Sequence, residues 1–211
     1  MSLVTRRRLL MLDKPGSVPS DYQAVEYIEG TGVQCINTLF YPNQDTSVEL
    51  DYQMTILIDN VTNSNALFGV YTTGVSIYTA RISEGYIQYY YSSSSGGLFA
   101  HRNDKDRHII KTDKQSIFLD DLLIGTNSEA SFSCTRPLSL LAQAGSSSFS
   151  RFASARVYGC RIYDGERLVR DFVPCYRKSD NMVGLYDTEN GVFYENAGEG
   201  EFIKGDDVNV L

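Results

Sequence analysis

Apolar and polar residues alternate along much of this chain with a period of two. The longest run covers residues 46–59, where Val48, Leu50, Tyr52, Met54, Ile56 and Ile58 alternate with Ser47, Glu49, Asp51, Gln53 and Thr55. Successive side chains of a strand point to opposite faces, so the pattern predicts a half-buried strand crossing a wide sheet and excludes an amphipathic helix. The Asn-rich segment 60–65 ends this strand, and an apolar run over 66–71 begins the next.

Turn signals follow at short intervals. Asn190-Gly191 lies between Val183-Gly184-Leu185-Tyr186 and Val192-Phe193-Tyr194. Both residues tolerate positive φ, so a two-residue primed turn is predicted there. Asp164-Gly165 is expected to do the same between 155–163 and 168–173, and Asp120-Asp121 is a weaker version between 117–119 and 122–124. Gly74, Gly85 and Gly96-Gly97 mark further reversals, and the serine-rich stretches 92–95 and 146–150 read as loops. No stretch combines helical periodicity with a cap. Short strands joined by hairpins predict an all-β, two-sheet antiparallel sandwich and not βαβ units.

Composition supports this. Tyr 15 and Phe 10 against Trp 0 is strand-favouring, and 211 residues suit one large domain. We expect residues 1–20 to be an arm and linker, 21–205 the sandwich, and 206–211 a tail. The formal charge of -7 is concentrated at the end: Asp180, Asp187, Glu189, Glu195, Glu199, Glu201, Asp206 and Asp207 face one base, Lys204, over the same span. An acidic chain lacks the clustered Lys and Arg that phosphate binding requires, so nucleic acid is not an expected partner. The dense basic run, Arg6-Arg7-Arg8, precedes Leu9-Leu10-Met11-Leu12, but Asp13-Lys14-Pro15-Gly16 follows where a signal peptide would continue its apolar run. No secretion signal and no membrane span are expected.

Cys35, Cys134, Cys160 and Cys175 are scattered, without a C-x-x-C or a neighbouring His pair, so buried free thiols are expected in place of a zinc site.

Three stretches together resemble a known family. Val25-Glu26-Tyr27-Ile28-Glu29-Gly30-Thr31-Gly32-Val33-Gln34-Cys35-Ile36-Asn37-Thr38 is similar to an opening of the form EYIxxTGxQxIxT. Arg107-His108-Ile109-Ile110, followed by Phe118-Leu119-Asp120-Asp121-Leu122-Leu123-Ile124-Gly125, resembles a central strand and a VDGxxxG hairpin, with Asp121 standing where that hairpin carries Gly. The third stretch, 155–205, includes Asp171-Phe172-Val173-Pro174-Cys175-Tyr176-Arg177-Lys178-Ser179-Asp180 and Val183-Gly184-Leu185-Tyr186-Asp187. The family is the concanavalin A-like, laminin-G-like domains of structural proteins of phages and prophages of gut bacteria. The resemblance implies a jelly-roll sandwich in which 27–38 and 183–202 close the sheets. Gly30 and Gly32 would serve a tight reversal, and Pro174 would end a strand.

Glucanases of this fold carry carboxylates on alternate positions of one strand, about 5 Å apart in retaining enzymes. Glu49 and Asp51 have the spacing, but Gln53 follows where a third acid belongs, and no Trp is present to stack a sugar. His101 and His108 are the only histidines, and no nucleophile motif accompanies them. No catalytic residue is assigned.

A glycan site is the better expectation. Tyr86, Tyr89, Tyr90 and Tyr91 precede the flexible 92–97, and the period of two puts Tyr86 and Tyr90 on one face and Tyr89 and Tyr91 on the other. One pair must be core. Tyr86 and Tyr90, with the hydroxyls of Ser92 and Ser94, form the candidate carbohydrate site. Calcium is the one metal with a candidate cluster, Asn103, Asp104 and Asp106, although Lys105 and Arg107 interleave and no calcium-loop motif appears. No other cofactor is expected.

The resulting expectation is a non-catalytic, virion-associated protein that adheres to a glycan or other host-surface ligand. Its arm would contact other virion proteins, and the chain would form a homo-oligomer. The alternative is a decoration or fibre subunit that binds protein alone, with glycoside hydrolysis a remote third.

Overall fold

The computed structural model describes residues 18–57, 65–72, 75–83, 85–92, 97–100, 104–145 and 147–208. These residues are all-β, without a helix. The chain opens with three short strands, β1 (Tyr22–Ala24), β2 (Ile28–Thr31) and β3 (Ile36–Asn37). Longer ones follow: β4 (Thr46–Met54), β5 (Asn65–Thr72), β6 (Val75–Ser83), β7 (Tyr86–Tyr91), β8 (Gly97–Ala100) and β9 (Arg107–Asp113). A hairpin of β10 (Ser116–Leu119) and β11 (Leu122–Thr126) leads to three two-residue strands, β12 (Ser139–Leu140), β13 (Gln143–Ala144) and β14 (Phe149–Ser150). The long strands β15 (Ser154–Asp164) and β16 (Arg167–Arg177) precede β17 (Val183–Asp187), β18 (Val192–Tyr194) and β19 (Ile203–Lys204).

Two sheets form. The larger runs β11-β10-β9-β4-β15-β16-β17-β18, with β1 on β16, and β2 joining β15 to β19. The smaller runs β14-β13-β5-β6-β7-β8, with β12 between β3 and β5. Pairing is antiparallel apart from Ala144 beside Val70, where β13 runs parallel to β5.

The core lies between them. Val48, Leu50, Tyr52 and Met54 of β4 are buried, as the alternation predicts, and with Val157, Cys160 and Ile162 they face Phe68, Tyr78, Ala80, Ile82, Ile87 and Tyr89 of the smaller sheet. Tyrosines tie the layers. The Tyr78 hydroxyl pairs with Thr112 Oγ1 at 2.6 Å and donates to the Thr46 carbonyl at 3.1 Å. Tyr89 donates to the Lys114 carbonyl at 2.6 Å, and Tyr91 to that of Gln44 at 2.7 Å. Each buries a large ring while its polar end finds an acceptor on the opposite layer.

Several local expectations change. β4 ends at Met54, so the predicted 46–59 strand is too long, and Ile56 is exposed; Ile58 lies outside the described residues. Leu119 pairs with Leu122, leaving Asp120-Asp121 as a two-residue turn with φ of +50° and +70°. Both central residues thus take the positive φ of a primed turn, without glycine. Asp164 pairs with Arg167, so the next turn is Gly165-Glu166, of which Gly165 alone has positive φ. Asn190-Gly191 is no two-residue turn, because Asp187 pairs with Val192 and four residues intervene. The buried Asp187 organises that loop by accepting from Glu189 N–H and Asn190 Nδ2. Pro174 sits inside β16, past the last β15 partner, where its carbonyl accepts from Val25 N–H.

The ends of the described chain do meet. Ala197 and Glu199 N–H donate to the carbonyls of Cys35 and Val33, and Gly205 N–H to that of Tyr27. Residues 206–208, placed in a tail by the sequence reading, continue this pairing, with Asp207 bridged to Val25.

Candidate functional site

The hairpin of β6 and β7 builds one layer of the smaller sheet. In β7, Ile87, Tyr89 and Tyr91 are buried, while Tyr86, Gln88 and Tyr90 face away from the core. Tyr86 is 43 % exposed. The register sets Thr79 beside Tyr90, Arg81 beside Gln88 and Ser83 beside Tyr86, and on the far side Leu98 of β8 beside Gln88. The outward face is therefore two phenol rings flanking an amide, with a guanidinium alongside.

Arg81 is 6 % exposed. Its carbon lies 4.6 Å from the centroid of the Tyr90 ring, and Nη1 donates to the Tyr90 hydroxyl at 3.3 Å. Nη2 donates to Ser76 Oγ, and to Gln143 Oε1 at 2.9 Å. Gln143, fully buried, donates in turn to Ser76 Oγ at 2.7 Å and Thr79 Oγ1 at 3.2 Å. Burial, with the nearby charge of Arg151, pushes the Arg81 pKa down to about 10, against a smaller opposing effect of Tyr90, so the group stays cationic at neutral pH. Gly69 completes the floor, since a Cβ there would come within 2.5 Å of the Thr79 side chain.

Of the residues singled out from sequence, Tyr86 and Tyr90 thus share this face. Ser92 follows at the end of β7 with φ of +69°, its N–H donating to the Ile77 carbonyl at 2.7 Å. Ser94 lies outside the described residues. Arg81 and Gln143 were not foreseen. For Arg81 the outward register opposite Gln88 was an available signal. Gln143, in a two-residue strand, offered none.

The calcium candidates fare differently. Asn103 and His101 lie outside the described residues. Asp104 Oδ1 accepts from Asp106 N–H at 3.0 Å and from His108 Nε2 at 2.9 Å. His108 Nδ1 meets Asp120 Oδ2 at 2.7 Å. The imidazole is thus held between two carboxylates, and its pKa is raised, chiefly by the Asp120 hydrogen bond. Among the described residues no group of three or more His, Cys, Asp or Glu side chains is arranged to hold a metal.

On the larger sheet, Asp51 is 1 % exposed and held by a bidentate Arg107, at 2.7 Å from Nε and 2.8 Å from Nη2. Arg107 stacks on Tyr158 at 3.7 Å, and Tyr158 donates to Gln53 Oε1 at 2.6 Å. Glu49 lies in register between Lys111 and Arg161. Asp51 is thus fixed in an ion pair, and Glu49 has a basic residue in register on either side.

All four cysteines are free and buried, and burial pushes Cys35, Cys134 and Cys175 up to about 12. Such thiols are poor nucleophiles at neutral pH. An open groove of about 660 Å³ lies elsewhere, bounded by Val33, Pro137, Phe149, Phe152 and Gly198. It contains none of the residues predicted from sequence. Neither a protein-family model nor a curated protein sequence matches this chain.

Proposed function

We propose that the chain is a virion-associated protein of a phage or prophage, a concanavalin A-like jelly roll that binds glycan on the host surface without catalysis. The observation that carries this reading is the outward row Tyr86, Gln88 and Tyr90 on β7. Aromatic faces flanking an amide are the means by which sugar rings are stacked and hydrogen-bonded. The three sequence stretches supply the family and virion setting, and the two-sheet architecture accords with them. Support for a non-catalytic role comes from Asp51, whose two oxygens are engaged by Arg107. The arm of residues 1–20, whose basic run Arg6-Arg7-Arg8 lies outside the described residues, attaches the domain to other virion proteins, and copies associate. A glycan array followed by calorimetry tests the reading: a bound sugar whose affinity falls about tenfold or more in Tyr86→Ala and Tyr90→Ala supports it. Silence across bacterial surface glycans would sink it.

A second reading is favoured by one observation. Leu122 is 69 % and Leu123 52 % exposed on β11, the edge strand of the larger sheet. Unpaired apolar edges invite strand pairing between chains, as a decoration or fibre subunit would use. Light scattering of the wild type and Leu123→Lys separates the two: an oligomer that dissociates in the variant, with no glycan binding by either, selects the subunit.

A further inference from the structure

We infer that Arg81 is the anion-recognising centre of the β6–β7 face, and that the glycan bound there is acidic, its carboxylate seated on the guanidinium. The inference rests on the glycan-binding reading above and narrows its ligand class.

The donors of Arg81 outnumber its acceptors. A guanidinium carries five N–H groups and no acceptor. Among the described residues Arg81 has three acceptors, Ser76 Oγ and Gln143 Oε1 on Nη2 and the Tyr90 hydroxyl on Nη1. Nε, itself buried, has none, and Nη1 retains a second hydrogen. All three acceptors are neutral. A buried cation is ordinarily matched by a carboxylate, because an uncompensated charge away from water is strongly unfavourable. Among the described residues four partly buried arginines are matched in this way: Arg107 by Asp51, Arg156 by Glu29, Arg161 by Asp171 and Arg170 by Asp187. Arg81 is more buried than any of these arginines, yet no carboxylate contacts it among the described residues.

The surroundings fix the geometry of the arginine without neutralising it. Gln143 is locked by donating to the Val70 carbonyl, Ser76 and Thr79, so its oxygen is directed at Nη2. Tyr90 covers one guanidinium face. The positioned guanidinium keeps one Nη1 hydrogen and an uncompensated charge for a carboxylate, and its neighbours Tyr86, Gln88 and Tyr90 offer the sugar a stacking and hydrogen-bonding surface. General charge attraction is not an alternative source of affinity, since the chain carries a net charge of -7.

The test uses the full chain in EDTA, so that no divalent cation bridges protein and ligand. Calorimetry compares a polyuronate, the same polymer with its carboxyls reduced to neutral alcohols, and a sulfated polymer of matched charge density. The expected result is binding of the polyuronate, weakened about tenfold or more on carboxyl reduction and to the same extent in Arg81→Lys, which keeps the charge but loses the positioned Nη1 donor. Gln88→Ala, on the exposed neighbour, is the second variant and should weaken both the acidic and the reduced polymer. Equal binding of acidic and reduced polymers, lost in Tyr86→Ala, overturns the acidic assignment and leaves the glycan reading standing. Binding of neither overturns the acidic assignment, and the glycan array alone then decides the glycan reading. Equal affinity for the sulfated polymer, unaffected by Arg81→Lys, also overturns it.

Discussion

Two core tyrosines of similar burial occupy opposite electrostatic positions. Tyr78 and Tyr52 are both fully buried, but Tyr78 shares its hydroxyl with Thr112 and Thr46, whereas the Tyr52 hydroxyl has no hydrogen-bond partner among the described residues. A satisfied buried hydroxyl contributes about 1 kcal/mol, and an unsatisfied one costs about 1–3 kcal/mol. Tyr78→Phe should therefore lose about 1–2 kcal/mol, and Tyr52→Phe should be neutral or gain about 1 kcal/mol; urea denaturation midpoints of the two variants read the difference in sign. His108 supplies a pH dependence. Its pKa is raised in the folded chain by Asp120 and Asp104, and burial opposes them. Its contribution is thus complete below the unfolded imidazole value of about 6.5 and is lost as pH rises through the folded value. The stability gap between wild type and His108→Gln should be widest between about pH 5 and 6.5 and narrow above it. A gap that widens toward alkaline pH would contradict the two-carboxylate geometry.

At the scale of elements, close approach between strands sets hard limits. Gly184 of β17 lies opposite Cys175, and a Cβ on it would stand 2.2 Å from the Tyr194 carbonyl oxygen. That neighbour is backbone and cannot rotate away, so β18 would have to shift. Gly184→Ala is expected to cost more than about 2 kcal/mol, measured as a lowered melting temperature, although alanine is a small residue. Turns obey a different constraint. Asp120 and Asp121 both take positive φ, which Asp tolerates better than most residues. The departure from Gly at Asp121 therefore leaves the primed hairpin intact.

Across the whole molecule, a single hydrophobic cluster spans both sheets, from Ile28 on β2 to Phe202 near the end of the described chain. The closing contacts join residues far apart in sequence, such as Gln34 Nε2 to the Glu201 carbonyl, 167 residues away. A fold tied in this way sets both sheets on one shared core. Unfolding monitored by tyrosine near-ultraviolet dichroism and by backbone far-ultraviolet dichroism should give one coincident transition. Two separated transitions would show that the sheets melt independently.

The sequence alone determined what depends on local parity. Alternation over 46–59 identified β4, although the strand stops at Met54 and Ile56 of the apolar row is exposed, and the spacing of Tyr86, Tyr89, Tyr90 and Tyr91 sorted rings between core and surface. Burial of one face imposes a period of two whatever the strand's neighbours are. Four scattered cysteines without ligand spacing were likewise readable as buried thiols. Only the tertiary structure decided the register between strands and which distant groups meet. Gln143 reaches Arg81 across 62 residues of sequence, and Asp51 meets Arg107 across 56. One arginine is thereby matched to a carboxylate and the other is left with neutral partners, a distinction that no local pattern encodes, because charge compensation depends on what packs nearby and not on what adjoins in sequence.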